Sequence, residues 1–401
     1  MSITSPKKAL SIILNNAKGL TTQNLSLDEA LGFVLAADVK ARINVPPFDN
    51  SAMDGFAIHE EDLIEKPLKI IGEVQAGQRA AIKVQKGKTI SIMTGAPVPA
   101  GTGAVVPVEN GYVDGESLIV GKAVSLGANI RRAGEDIKKG SIVIKAGTAL
   151  KPIHLGLAAS VGADKLKAYK KPAVALVVTG DEIKKAGEKL LPGQIYDSNS
   201  YLVINSLKKL NIEVSLFAKA ADTLAHTVST LKKALSKADI VLTTGGISVG
   251  KYDFLSLALA KIGATCRFDG VKQKPGKPLS FFTYKNKAIL CLPGNPVAVA
   301  TCFELYARPL ILKMSGFKSI QRTQVKAILE LSLKKKKGRA SFIRVNLTRK
   351  NSRYYAKPTG RQGSGVLTSM LADGIAFLPE SSGDLKKRQL VSVFDLGGDY
   401  R

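Results

Sequence analysis

From residue 171 onward the chain alternates two hydrophobic patterns. The stretches PAVALVVTG, IEVSLFAK, ADIVLTTGG and NKAILCLPG carry unbroken apolar runs, whereas SNSYLVINSLKKL, TLAHTVSTLKKAL, YDFLSLALAKIG and PVAVATCFELYARPLILKM repeat apolar residues at helical spacing. Continuous apolar runs predict strands buried on both faces, and their alternation with helices predicts a parallel sheet covered on both sides. In such sheets ligands gather beyond the carboxyl ends of the strands, where TGDE (179–182), TTGG (243–246), KPGKP (274–278) and LPGNP (292–296) fall. The first part of the chain reads differently. SPKKALSIILNN predicts a helix with Ser5 as N-cap, Pro6 at its first position and Gly19 beyond its end. LSLDEALGFVLAADV predicts a second helix, with Ser26 and Glu29 as a capping box and Leu27, Ala30, Leu31, Val34 and Leu35 on one face. Residues 45–140 are punctuated by Gly and Pro between short β-prone runs (LKIIGEV, KTISIM, GAVVPVE, ESLIV), which predicts a β-domain. Helical spacing returns at PIHLGLAASVG (152–162), and short strands and turns resume from about 320. The expected organisation is a first domain of 1–44 and 141–170, a β-domain of 45–140 inserted in it, an α/β domain of 171–319 and a β-domain of 320–401.

Composition narrows the function. A length of 401 residues suits several domains, and no apolar run nears the roughly 18 residues that cross a bilayer. The apolar run after Lys7 and Lys8 stops at Asn15 and Asn16, which argues against a signal peptide. Cys266, Cys291 and Cys302 form no close pair, as expected of a cytoplasmic protein, and the scattered His59, His154 and His226 argue against structural zinc. A surplus of 59 Lys and Arg over 32 Asp and Glu gives a net charge of +27, which attracts anions. No nucleic-acid-binding motif accompanies it, so a solvated lysine-rich surface, including KKKK at 334–337, is the favoured reading over nucleic-acid binding.

Several loops carry candidate chemistry. Gly245 to Lys251 reads G-x-x-x-x-G-K, nearly a Walker A loop, but Tyr252 stands where a Mg²⁺-binding Ser or Thr belongs. Gly245 and Gly246 let main-chain N–H groups approach an anion, and Asp253 follows as a cation ligand or as a mere helix cap. Lys274 and Lys277 flank a Pro-Gly turn, an arrangement suited to a polyanion or to solvent. Asn295 caps a helix with Pro296 in its first turn, so that N–H groups face the ligand edge. Asp181, Glu182 and Asp197 add carboxylates, which near phosphate-binding turns suggest a divalent metal. PPFDNSAMDGFAI (46–58), with Asn50, Ser51 and Asp54, and MTGAPVPAGTGAVVPVE (93–109), with Thr94, are irregular loops of functional character.

These stretches, with RRAGEDI (131–137), GQIYDSN (193–199), TTGGISVGKYDF (243–254), GRASFIRVNL (338–347) and TGRQGSGVL (359–367), occur in one order that closely resembles the MoeA-type molybdopterin molybdenumtransferases, relatives of the gephyrin E domain. The resemblance spans essentially the whole chain. It implies an elongated helical segment, an inserted β-domain, a MogA-like α/β molybdopterin-binding domain and a C-terminal β-barrel. It further implies Mg²⁺-dependent insertion of molybdate into adenylylated molybdopterin with release of AMP, in a homodimer whose active sites draw on both subunits. Molybdopterin adenylyltransferase and apo-molybdoenzymes are implied partners; nucleic acid and membrane are not. By the same resemblance Asp54, Thr94, Glu182, Asp222 and Asp253 are catalytic, with Glu182 and Asp253 linked to Mg²⁺. Gly245, Gly246 and Ser248 contact the pterin or its phosphate, with Asn295 beside them, Lys274 and Lys277 lie near pterin phosphate and molybdate, and Arg344 and Ser364 help bind molybdate. The chain departs from the family pattern at Ala298, where Ser is usual, at Thr223, where Asp is common, and at Arg361, where His or Asn is frequent. A P-loop NTPase is disfavoured by Tyr252; a non-catalytic pterin-binding scaffold and an adenylyltransferase remain as alternatives.

Overall fold

A computed structural model describes residues 3–64, 66–78, 81–246, 254–363 and 366–397. These fall into two compact units, one of residues 24–31 and 35–168 and one of the remainder. The chain opens with α1 (Pro6–Asn15), which Ser5 caps by accepting the Lys8 N–H, with proline in the first turn as expected.

The smaller unit is built on a six-stranded sheet. Its strands are β1 (Gly55–His59), β2 (Pro67–Val74), β3 (Lys88–Ile92), β4 (Thr102–Pro107), β5 (Gly111–Asp114) and β6 (Ser117–Val120). They lie in the order β4-β1-β3-β2-β6-β5, antiparallel except for the β2–β3 pair. Ala57, Ile90 and Val105 fill the core on one face, and Phe56, Ile58, Val106 and Leu118 on the other. Helix α2 (Pro152–Ser160) begins at a proline, as the sequence predicts. The helix expected from LSLDEALGFVLAADV does not form: Thr22–Ser26 is a strand and turns follow. The Ser26–Glu29 contact exists, since the Ser26 N–H and Oγ–H both donate to Glu29 Oε2. Tertiary partners win over helical spacing here. The N–H groups of Leu35 and Ala36 go to the carbonyls of Thr148 and Lys167, and Ala30 and Leu35 pack against Ile144, Leu150 and Leu166.

In the larger unit a sheet of β7 (Val174–Thr179), β8 (Val214–Ala220), β9 (Ile240–Thr244), β10 (Thr265–Asp269), β11 (Ser280–Tyr284) and β12 (Lys287–Leu292) runs in the order β8-β7-β9-β12-β11-β10. The first four are parallel, as predicted; β11 and β10 add an antiparallel edge that the alternation does not announce. Helices cover both faces. Val174, Leu176 and Val178 meet α1, α3 (Asn199–Lys209) and the helix that follows β12, while Ala175 and Val177 meet α4 (Leu224–Lys237) and α5 (Phe254–Lys261). The helix after β12 comprises α6 (Pro296–Cys302), a widened π turn (Phe303–Ala307) and α7 (Arg308–Met314), where Pro309 has no N–H to continue the ladder.

The C-terminal strands β13 (Gln324–Leu329), β14 (Ala340–Lys350), β15 (Arg353–Pro358), β16 (Gly374–Leu378) and β17 (Leu390–Asp395) pair in the order β14-β15-β13-β17-β16, and β16 returns to β14, closing a five-stranded barrel. Ala327, Leu329, Val345, Ala356, Leu378 and Val393 fill it. Gln273 and Lys274 join the start of β14 in parallel, which fastens the KPGKP turn to the barrel. No described helix is long and apolar enough to cross a membrane.

Candidate functional site

At the carboxyl ends of β7, β9 and β12 lies a cleft of about 320 Å³ lined by Thr179, Gly180, Glu182, Asp197, Asn199, Asp222, Gly245, Gly246 and Gly294, among others. The position is that expected of a parallel sheet. Gly246 has φ +69°, and a Cβ there would stand 2.5 Å from Thr179 Oγ1, so only glycine seats this turn against the end of β7. Asp222 accepts the Asp181 N–H at 3.2 Å, which ties the loop after β8 to the loop after β7. Glu182 and Asp222 are exposed on the cleft wall. Asp197 is committed elsewhere: its carboxylate accepts the Ser200 N–H and hydroxyl and so caps α3. Asn295 accepts the N–H groups of Val297 and Ala298, so those two donors are spent within the first turn of α6 and do not face a ligand. Ala298 itself is buried.

A second cavity, of about 670 Å³, opens beside β14. It is lined by Lys274, Pro275, Lys334, Lys335, Lys336, Lys337, Arg339, Arg344 and Gln362, with Asp384 the one carboxylate among its lining residues. Arg344 is 4% exposed. Its guanidinium donates to Ser369 Oγ and to the Phe342 carbonyl at 3.2–3.3 Å, and no described carboxylate pairs with it. Burial pulls its pKa down to about 10. A buried cation opposed by neutral acceptors alone bears an uncompensated desolvation penalty, which an incoming anion relieves. Gln362 fixes the main chain at this point, accepting the Arg344 N–H at 3.0 Å and donating to its carbonyl at 3.1 Å. Lys335 is also buried, donating from Nζ to the Ser382 carbonyl at 2.8 Å, and desolvation lowers its pKa. The run 334–337 is therefore more than solvated surface: it lines this cavity, although three of its four lysines remain exposed.

In the smaller unit the Thr94 N–H donates to Asp54 Oδ1 at 2.7 Å, joining two exposed loops 40 residues apart. That bond holds the Asp54 carboxyl below its usual range.

The structure thus gathers Glu182, Asp222, Gly245 and Gly246 in the cleft, Lys274 and Arg344 in the basic cavity, and Asp54 with Thr94 in the other unit. Lys277 is exposed at the far side of the KPGKP turn and is not among the residues lining either cavity. Asp253, Ser248 and Ser364 lie outside the described residues. Among the described residues no group of three or more His, Cys, Asp or Glu is arranged to hold a metal ion. Sequence reasoning missed Thr179, Gln362, Ser369 and the cavity role of Lys334–Lys337. Only the lysine run left a sequence signal, an uninterrupted block of charge just before a strand.

Comparison with known proteins agrees with this geometry. Residues 4–162 match the MoeA N-terminal region (domain I and II), residues 175–313 the probable molybdopterin binding domain, and residues 326–396 the MoeA C-terminal region (domain IV). A molybdopterin molybdenumtransferase of Haemophilus influenzae is 35% identical over 377 residues, 93% of each chain. One of Staphylococcus epidermidis is 32% identical over 398 residues, 97% of this chain and 94% of that protein. The crystal structure of a molybdopterin biosynthesis moea protein from Pyrococcus horikosii superposes with a TM-score of 0.84 at 30% identity, covering 98% of this chain and 99% of that one. With the cleft at the strand ends, the closed barrel and matches along the whole length, the chain belongs to the molybdopterin molybdenumtransferase (MoeA) family of transferase enzymes.

Proposed function

We propose that the protein inserts molybdate into adenylylated molybdopterin, releases AMP and yields molybdenum cofactor. The observation that carries this reading is Arg344, a buried guanidinium without a carboxylate partner among the described residues, in one cavity with Lys274 and four further lysines. Molybdate is a compact dianion, and fixed cations offset the repulsion it meets when brought to a second anion. The cleft at the sheet edge takes the pterin and its phosphates, with main-chain N–H groups at Gly245 and Gly246 opposite the anionic part.

The cleft carboxylates fit Mg²⁺. This ion takes hard oxygen ligands, commonly one or two carboxylates completed by substrate phosphate and water. Glu182 and Asp222 would hold it, with Asp253 as the further ligand expected from the family resemblance. When bound, Mg²⁺ neutralises charge on the pyrophosphate. Lys274 and Arg344 orient the oxyanion towards the phosphate that carries AMP. The protein acts as a homodimer in which Asp54 and Thr94 of one copy complete the site of the other. Asp54, kept ionised by the Thr94 N–H, supplies an acceptor for a donor group of the bound pterin.

Purified protein given adenylylated molybdopterin should release AMP when both molybdate and Mg²⁺ are present and far more slowly when either is left out. Binding of the nucleotide without any molybdate-dependent release would overturn the catalytic reading and leave a pterin-binding scaffold.

A further inference from the structure

Behind the KPGKP turn lies a buried polar trio with no part in the reading above. Gln273 is 0% exposed, an unusual place for a primary amide. Its Oε1 accepts the Tyr306 hydroxyl. Its Nε2 donates to the Pro275 carbonyl at 2.9 Å and makes a longer contact, 3.6 Å, with Cys302 Sγ. The turn is pressed onto this trio: Gly276 has φ +91°, and a Cβ there would stand 2.4 Å from Cys302 Sγ and 2.7 Å from Gln273 Nε2. Cys302 ends α6 and Tyr306 lies in the π turn that follows. The helix that starts at the cleft with Asn295 therefore grips, about 16 Å along its axis, the turn that carries Lys274.

We infer that Gln273 and Tyr306 are positioning residues for oxyanion capture: clamped between the π turn and the Pro275 carbonyl, they fix the Lys274–Lys277 turn and hence the lysine ammonium facing the basic cavity. Every polar atom of the Gln273 amide is used for this, so loss of either partner frees the turn as well as leaving a buried group unsatisfied. The inference rests on the basic cavity being the molybdate site.

The test uses the full-length protein and molybdate alone as titrant, with AMP release measured in parallel. Tyr306→Phe and Gln273→Met should each weaken molybdate binding about tenfold and raise the molybdate KM equally, with kcat and the KM for adenylylated molybdopterin unchanged. The double variant separates positioning from stability. Replacing both partners by apolar groups should restore much of the melting temperature, since neither the Tyr306 hydroxyl nor the Gln273 amide is then left facing a missing partner and only the half-buried Pro275 carbonyl loses a donor, while the molybdate KM stays raised. Lys274→Ala serves as control. If Lys274→Ala leaves molybdate binding intact, the cavity is not the molybdate site. If Lys274→Ala weakens binding but Tyr306→Phe and Gln273→Met do not, or if the double variant recovers its molybdate KM along with its melting temperature, the positioning role is wrong.

Discussion

The cleft at the ends of β7, β9 and β12 is lined by glycine turns and carboxylates; the cavity beside β14 is lined by five lysines and two arginines against one Asp. Both belong to one compact unit, and both suit anions, but by different means. The cleft offers glycine turns held at positive φ and, under the proposed reading, oxygen ligands for a cation shared with the substrate. The cavity offers side-chain charge, part of it buried and without a carboxylate partner among the described residues, which suits an anion that brings no counterion. A site of the first kind selects shape and phosphate spacing; one of the second selects charge density. The division suits the proposed reaction of a large phosphorylated pterin with a small oxyanion, and under that proposal the two substrates should respond to mutation independently.

The largest expected effect falls on Arg344. Arg344→Met should reduce molybdate-dependent AMP release by about 100-fold or more, because the cation meets the oxyanion in a low-dielectric wall. Without molybdate, the variant should melt at or above the wild-type temperature, since the buried charge has no carboxylate partner among the described residues to lose. Calorimetry with and without molybdate checks both. A variant that melts much lower and still turns over would assign Arg344 to the barrel's framework and dissolve the distinction between the two sites.

Gly246 tests the other side. Gly246→Ala places a Cβ against Thr179 Oγ1 in a backbone conformation that alanine disfavours, so the KM for adenylylated molybdopterin should rise about tenfold while the molybdate KM stays put. Adding Thr179→Ala removes the clash but not the strain and should recover part of the loss. Coupled changes in both KM values would show that the two regions are one site.

A smaller effect reads the proposed sharing between subunits. Asp54→Ala and Arg344→Ala proteins are each expected to be inactive; mixed under exchange, half the dimers are hybrid and carry one intact site each. Recovery to about one quarter of wild-type turnover is the expected yield. No recovery would place Asp54, Thr94 and Arg344 in the same subunit's site or outside it.

Which of these features the sequence reveals follows from how burial is distributed. β7, β9 and β12 are buried along their whole length and read as unbroken apolar runs, so the parallel sheet was legible. β10, TCRFD, is an edge strand with exposed positions and a mixed composition, and it left no such run. Helical spacing misled at Ala30 and Leu35 because the same apolar positions serve an irregular segment whose N–H groups have distant partners. At the candidate site, glycine turns and paired lysines announce themselves locally. The burial of Arg344 and Lys335 does not, because barrel closure imposes it: the strand that carries Arg344 is sealed by β16 and by Gln362 and Ser369, 18 and 25 residues away. Asp54 and Thr94 form a pair that only the family resemblance could join before the fold was known.

The smallest effect is a pH dependence that should be nearly flat. Burial lowers the Arg344 pKa to about 10, well below the ordinary guanidinium value of the unfolded chain, so the folded protein gives up this proton more readily than the unfolded chain. Between those two values the unfolded chain binds more protons, and Arg344's contribution to stability rises with pH; below pH 10 both forms are charged and the burial penalty is constant. An anion bound to the guanidinium favours the charged form and pushes the pKa back up. Molybdate affinity should therefore hold from about pH 7 to pH 9 and fade only towards pH 10 if Arg344 is the main contact. Lys335, whose pKa burial also lowers, is a second buried cation of the cavity. An affinity that already falls below pH 9 would move the dominant contact from Arg344 to the lysine run, and Lys335→Arg, which cannot deprotonate in that range, should then restore the plateau.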